Sequence, residues 1–269
     1  MTRYEYTQEF IQYLKDKNRS PQTIKSYTNI VSKCLDFAGV NPKNVKSRMI
    51  SEYVRSLNSP RTKNQAIGCL KTFFNEVCGM PNVVAIPYAN VPDSLPTIIS
   101  KQRFNEGLEK CSNPKHRLIF RLLFNHALRR SEVISFKIGW FRSEVIDSEK
   151  QFYAHITGKG SKDRVVWISH ETMRELVRYS ESHNIDLHDF DNYLFRGPSG
   201  RPYSGSSIQN LTRKYFGVNP HALRHSCATS LINNKVSDFD VQELLGHSSL
   251  ETTRIYHHSS LSSKVGIAG

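Results

Sequence analysis

The chain has 269 residues, room for one large domain or two of ordinary size, and with 38% hydrophobic and 23% charged residues it can bury real cores. No stretch approaches the roughly 18 consecutive apolar residues of a membrane span, since Arg121 interrupts the apolar run 118–124. A formal charge of +13 points to a polyanionic partner, nucleic acid ahead of anionic membrane, because no basic amphipathic segment carries exposed aromatic anchors.

The N-terminus, Met1-Thr2-Arg3-Tyr4-Glu5, lacks the charged-then-apolar plan of a signal peptide. Residues 1–80 read as a run of helices. Ser20-Pro21 is an N-cap followed by proline at the first helical position. Ile24, Tyr27, Val31, Cys34, Leu35 and Ala38 then recur at helical spacing before Gly39. A second helix starts at Ser59-Pro60 and buries Ala66, Ile67, Leu70, Phe73, Phe74 and Val77. Its other face carries Arg61, Lys63, Asn64 and Lys71, a basic stripe expected to meet phosphate. Pro81, Pro87, Pro92 and Pro96 exclude regular helix from 81–96, which is expected to be an interdomain linker.

A second domain is expected over 97–269. Its helices are predicted at 101–111, with Ser100 as cap, then 114–126 and 130–137. Residues 151–157 and 163–168 read as two strands around the turn Gly158-Lys159-Gly160-Ser161-Lys162, and the remainder returns to helix. The class is therefore mainly α with a small β-hairpin or sheet. Cys34, Cys69, Cys78, Cys111 and Cys227 are odd in number, scattered, and without a C-x-x-C pair. They exclude a disulfide framework and a cysteine zinc site, and are expected as core fillers in a reducing compartment.

The most informative segment is Asn219-Pro220-His221-Ala222-Leu223-Arg224-His225. Asparagine as cap and proline at the first position place His221 and Arg224 in the opening turns, on one face. Free N–H groups, a guanidinium and an imidazole there make an anion site with phosphate as its natural guest. His221 and His225 lack the adjacent glutamate of a His-Glu-x-x-His zinc helix. Ser237-Asp238-Phe239-Asp240 opens a helix that stops at Gly246, and His247 follows at once. Ser248-Ser249-Leu250-Glu251 opens another helix, carrying Arg254, Ile255 and Tyr256.

Taken in order, Ala127-Leu128-Arg129-Arg130-Ser131-Glu132, Gly158-Lys159-Gly160, His221-x-x-Arg224, Leu245-Gly246-His247 and Tyr256 resemble the tyrosine recombinases, the phage integrase and Xer-type family. The resemblance covers the whole second domain; the first resembles the family's helical, SAM-like core-binding domain through its pattern and the 59–74 segment. It implies a two-domain clamp on double-stranded DNA. Four protomers would assemble on two sites, with inverted repeats in each site, and no cofactor would be required. Arg129, Arg224 and His247 would hold the scissile phosphate, Tyr256 would attack it, and Lys159 would protonate the leaving 5′-oxygen. His221 would either bond the phosphate or take the phenol proton, and Glu132 would orient its neighbours. Arg130 competes with Arg129, but the Arg-x-x-Glu spacing favours Arg129. Lys162 and Arg164, beside Lys159, join Arg61, Lys63 and Lys71 as expected DNA contacts. Ala127 stands where the family often has glycine, and is read as a tolerable residue at a helix start. The short stretch after Tyr256 suggests a lightly built exchange between subunits. Integration or excision of a viral or mobile element is the favoured task, ahead of Xer-type dimer resolution, in the cytoplasm and on the nucleoid. A type IB topoisomerase shares much of this residue set, and a DNA-binding architectural factor without catalysis is the alternative from another class.

Overall fold

The computed structural model describes residues 1–92, 95–146, 148–157, 163–197 and 199–246. They fall into two compact units, Met1–Asp93 and Ser94–Gly269. Among the described residues, no helix is long and apolar enough to cross a membrane.

The first unit is helical: α1 (Arg3–Asp16), α2 (Pro21–Ala38), α3 (Ser47–Ser56) and α4 (Pro60–Thr72), which runs on into a wider turn at Phe73–Val77. The predicted starts hold. Ser20 and Ser59 each accept an N–H three residues on, at 3.2 and 3.1 Å, and each is followed by proline. Each such cap stabilises its helix by about 1 kcal/mol. Gly39 ends α2 with a φ of +67°, where a Cβ would be strained. Phe10, Val31, Leu35, Ile50, Leu70, Phe73 and Phe74 meet in one core, with the Phe10 and Phe73 rings edge to face at 5.2 Å.

The proline-bearing stretch after α4 has no helix or strand as far as Pro92, and its first half packs on this unit. Val84 is buried in the core, and the Asn64 carboxamide makes both bonds to Ala89, 2.8 Å to its carbonyl and 2.7 Å from its N–H. Lys71 lies over the Tyr88 ring at 4.8 Å. Part of the basic stripe is thus covered by the chain that follows it, with Asn64 and Lys71 turned towards that chain.

The second unit runs α5 (Lys101–Glu109), α6 (Pro114–Phe124), α7 (Arg130–Ile134), β1 (Phe141–Ile146), β2 (Glu149–Thr157), β3 (Asp163–Ile168), α8 (His170–His183), α9 (Gly205–Phe216), α10 (Pro220–Asn233) and α11 (Asp238–Leu245). The strands form an antiparallel sheet in the order β1-β2-β3. β1 escapes a pattern search because its burial does not alternate: five of its six residues are exposed. Ala154, Ile156, Val166 and Ile168 point into the core, whereas Val165 and Trp167 face outward. The helix expected to reach residue 137 stops at Ile134. Beyond it Phe136 enters the core and its carbonyl accepts from Leu194 N–H at 2.7 Å, a pairing that a continuing helix would forbid.

Phe104 stacks on Phe124 at 3.9 Å and on Phe216 at 5.4 Å, bringing α5, α6 and α9 together. Gly107 permits this approach, since a Cβ there would come within 2.4 Å of the Phe216 ring. Arg121 does not point outward from the apolar run of α6. Only 6% exposed, it bonds Glu171 of α8 at 2.8 Å, and Arg117 bonds the buried Glu175 at 2.9 Å.

All five cysteines are free and buried. Burial pushes the Cys34, Cys78 and Cys227 thiols up to about 12, and Cys69 higher still. Because the thiolate is the reactive species, the native protein should release almost no colour with an aromatic disulfide reagent until denaturant is added. Rapid labelling of any thiol in the native protein would contradict the packing described.

Candidate active site

α10 starts as its sequence dictates: Asn219 accepts the Ala222 N–H at 3.0 Å, and Pro220 takes the first helical position. His221 stands at the mouth of the helix, more open than Arg224, which lies one turn on and is 4% exposed. The Arg224 guanidinium donates through Nη1 to the Ala127 carbonyl and through Nη2 to the Leu245 carbonyl.

Ala127 lies two residues before the Arg129 cap of α7, inside the bend that leaves α6. It is not at a helix start. Its φ is +51°, a left-handed conformation that costs a residue with a Cβ about 1–2 kcal/mol. The buried methyl, packed with Cys227, Ala228, Val241 and Leu245, offsets much of that strain. His126, just before it, is fixed by a 2.8 Å bond between Nε2 and Thr172 Oγ1. Burial holds the His126 imidazole down at about 4, against a small upward pull from the Trp167 backbone and with Arg121 adding to the depression.

Glu132 is the centre of the arrangement. It is 3% exposed and accepts from four donors. The Arg129 N–H reaches Oε2 at 2.6 Å and Arg129 Nη1 reaches Oε1 at 2.8 Å. Arg164 adds a two-pronged contact, 2.8 Å to each oxygen. Burial alone would raise the carboxyl, but the bonds and charge of Arg164, joined by Arg129, outweigh it and pull Glu132 down to about 2.

The same arginines reach the end of α11. Arg164 Nε donates to the Leu244 carbonyl at 2.8 Å, Arg224 to Leu245, and Arg129 Nη2 to the Gly246 carbonyl at 2.7 Å. Three guanidiniums from β3, α10 and the start of α7 therefore take three consecutive carbonyls, the groups a helix end leaves without partners. Gly246 has a φ of +58°, which glycine adopts without strain, and a Cβ there would sit 3.2 Å from the Arg164 side chain, which would have to give way.

Arg164 corrects the sequence reading. Expected to contact DNA, its side chain is only 7% exposed and is committed to Glu132 and Leu244 inside the protein. Strand alternation near a basic turn gave no means of telling a solvent-facing arginine from one turned under the sheet edge. Arg130 does not join Arg129 at Glu132; its guanidinium turns to α9, 3.2 Å from Gln209 Oε1. The His221 imidazole is lowered by burial and then by the charges of Arg130, Arg224 and Arg129. His225, with its ring centre 6.4 Å from that of His221, is held at about 4 by burial, His221 and Arg224.

Comparison with known proteins agrees with the geometry. The model of the phage integrase family matches residues 98–262, and that of the phage integrase N-terminal SAM-like domain matches 6–82. The chain belongs to the phage integrase family, the tyrosine recombinases. It is an enzyme of the class that cleaves and rejoins DNA through a tyrosine. Tyrosine recombinase XerA of Pyrococcus horikoshii is 32% identical over 258 residues, covering 93% of this chain and 87% of that protein. The crystal structure of XerA recombinase aligns with a TM-score of 0.52 at 25% identity, over 98% of each chain. The XerH site-specific recombinase bound to palindromic difH substrate shares the fold, with a TM-score of 0.69 at 22% identity, over 97% of this chain and 84% of that one.

In this tyrosine recombinase the fold brings Arg129, Glu132, His221 and Arg224 to one place. Lys159, Lys162, His247 and Tyr256 lie outside the described residues. In the chain, Lys159 and Lys162 fall between Thr157 and Asp163, the last pair of β2 and β3, and His247 follows Gly246.

Glu132 carries a pH signature. Its folded carboxyl lies well below the ordinary 4.5, so its stabilisation is complete above about 4.5 and is lost as pH falls towards about 2. Glu132→Gln should lose about 3 kcal/mol at neutral pH, because it leaves a buried arginine without its carboxylate. It should also flatten the dependence of urea-unfolding free energy on pH below 4.5. An unchanged acid slope in the variant would show that another group titrates there.

Proposed function

We propose that the chain is a site-specific DNA recombinase that uses Tyr256 to cut one strand at a time and join it to a partner strand. The observation that carries this reading is the meeting of Arg129 and Arg224. Ninety-odd positions apart in the chain, they bond the adjacent carbonyls of Gly246 and Leu245, at the point from which the backbone continues to His247 and Tyr256.

Phosphoryl transfer spreads negative charge over the non-bridging oxygens, and positioned cations stabilise it. Arg129 and Arg224 would supply planar forks to those oxygens, and His247 a further donor. The Tyr256 oxygen attacks phosphorus, forming a 3′-phosphotyrosine and releasing the 5′-oxygen, which Lys159 protonates. A 5′-hydroxyl from another strand then reverses the step, so the energy of the broken bond is kept and no ATP is consumed. His221, lowered by its neighbours and therefore neutral over more of the acid range, would bond the phosphate or take the phenol proton. On this reading the acid-side loss of cleavage lies below the ordinary histidine value of 6.5.

Double-stranded DNA would be bound by both units, with Arg61 and Lys63 of the first and Lys162 of the second at phosphates, and affinity would fall steeply with salt. Four protomers on two inverted-repeat sites would carry out exchange. For the biological task, the XerA and XerC relatives weigh towards Xer-type exchange and away from viral integration, because they match over 93–94% of the chain.

Incubation with randomised, nicked suicide duplexes, followed by denaturation and sequencing of the DNA still attached, tests the proposal without knowledge of the site. The wild type should yield a covalent adduct without ATP or added metal. Tyr256→Phe should yield none while binding the selected duplex within about threefold of wild type. An adduct in the phenylalanine variant would remove Tyr256 as nucleophile; salt-sensitive binding with no wild-type adduct would favour the architectural reading.

A further inference from the structure

We infer that Arg164 is a positioning residue for strand cleavage, tying β3, the strand that follows Lys159 in the chain, to Glu132 and to the end of α11. The inference rests on the recombinase mechanism proposed above. It begins from where Arg164 sits: second residue of β3, the strand that follows residues 158–162 in the chain, and paired across the sheet with Ile156.

From there its guanidinium makes three bonds of 2.8 Å, two to Glu132 and one to the Leu244 carbonyl. At 7% exposure it is shielded from DNA, so its effect passes through what it holds. Glu132 in turn holds Arg129 by both backbone and side chain. Leu244 begins the run of three carbonyls whose other two belong to Arg224 and Arg129. One side chain thus joins the strand that follows Lys159 in the chain, the carboxylate that orients an arginine proposed to hold phosphate, and the helix end from which the chain continues to His247 and Tyr256. Arg164 can serve all three because its fork spans two oxygens and still turns Nε to a third; a lysine would present a single point.

The charged groups acting on Glu132 are Arg164 from β3 and Arg129 from the start of its own helix, while α11 presents backbone carbonyls. Loss of Arg164 removes the larger of the two opposing influences and leaves burial opposed by Arg129 alone, so the Glu132 carboxyl rises. Its protonation would then release Arg129 at a higher pH than in the wild type. Misplacement of reacting groups by about 1 Å can lower a rate by about 100-fold.

The test measures single-turnover adduct formation between pH 4.5 and 8, on the duplex selected by the wild-type protein, with binding of the same duplex followed in parallel. Arg164→Gln should bind within about threefold of wild type yet form adduct about 10- to 100-fold more slowly. Its acid limb should move to higher pH. Arg164→Lys should restore part of the rate. The double variant Glu132→Gln/Arg164→Gln, which leaves no buried carboxylate to titrate, should return the acid limb to its wild-type place even though the rate stays low. Equal losses in binding and rate, a profile parallel to wild type, or a double variant that keeps the displaced limb would each overturn the inference. Failure of the wild type to form any adduct would sink the recombinase mechanism itself, a result separate from any behaviour of the variants.

Discussion

A carboxylate removed from water must find cations or lose its charge, and in this protein Glu132 has met that requirement with two arginines. The consequences reach far beyond the pair. Arg129 is the residue that caps the helix bearing Glu132, so the carboxylate fixes the entry to α7 as well as a guanidinium. Arg164 comes from the sheet, so β3 is drawn against α7 and α11. Two of the three carbonyls at the end of α11 are bonded by these same arginines, and Arg224 takes the one between. Placement of α11, and of the chain that follows it, is therefore a by-product of satisfying one buried charge.

This polar centre stands on an ordinary apolar foundation. The Phe104, Phe124, Phe120 and Phe216 rings bind α5, α6 and α9 into a core that leaves α6 little freedom. A second buried ion cluster, Glu175 with Arg117 and Arg121, holds α8 against α6 on another side. Between the two clusters, the end of α6 passes through His126 and the left-handed Ala127 before reaching Arg129. Strain at Ala127 persists because its surroundings over-determine it: a bonded histidine before it, a buried methyl, and a carbonyl claimed by Arg224. The polar bonds of the site run between α10, the start of α7, β3 and the end of α11, each packed on the core.

Much of this could be read without coordinates. Helix starts at Ser20, Ser59, Ser100 and Asn219 obey rules a few residues long, and the structure places them there. The apolar faces of α2 and α4 were legible for the same reason. Limits appear where a residue's fate depends on a distant partner. β1 is mostly exposed and has no alternation to detect, and α7 stops early because Phe136 pairs with Leu194. Arg164 looked like any basic residue beside a basic turn. Whether it faced water or Glu132 depended on an element thirty-two positions earlier.

Local grammar and the order of the chemical groups are written in the residues alone: caps, apolar periodicity, the glycine that ends α11, and the succession of arginines, histidines, lysine and tyrosine that marks the family. These depend on interactions within a turn or two of the chain, or on order alone. Which charged groups are buried together is settled by the packing of the folded chain. It assigned Arg164 to Glu132, Arg130 to α9, and the guanidiniums of Arg129, Arg164 and Arg224 to three successive carbonyls. That decision belongs to folding because burial sets the worth of a charge, and burial is a property of the packed chain as a whole.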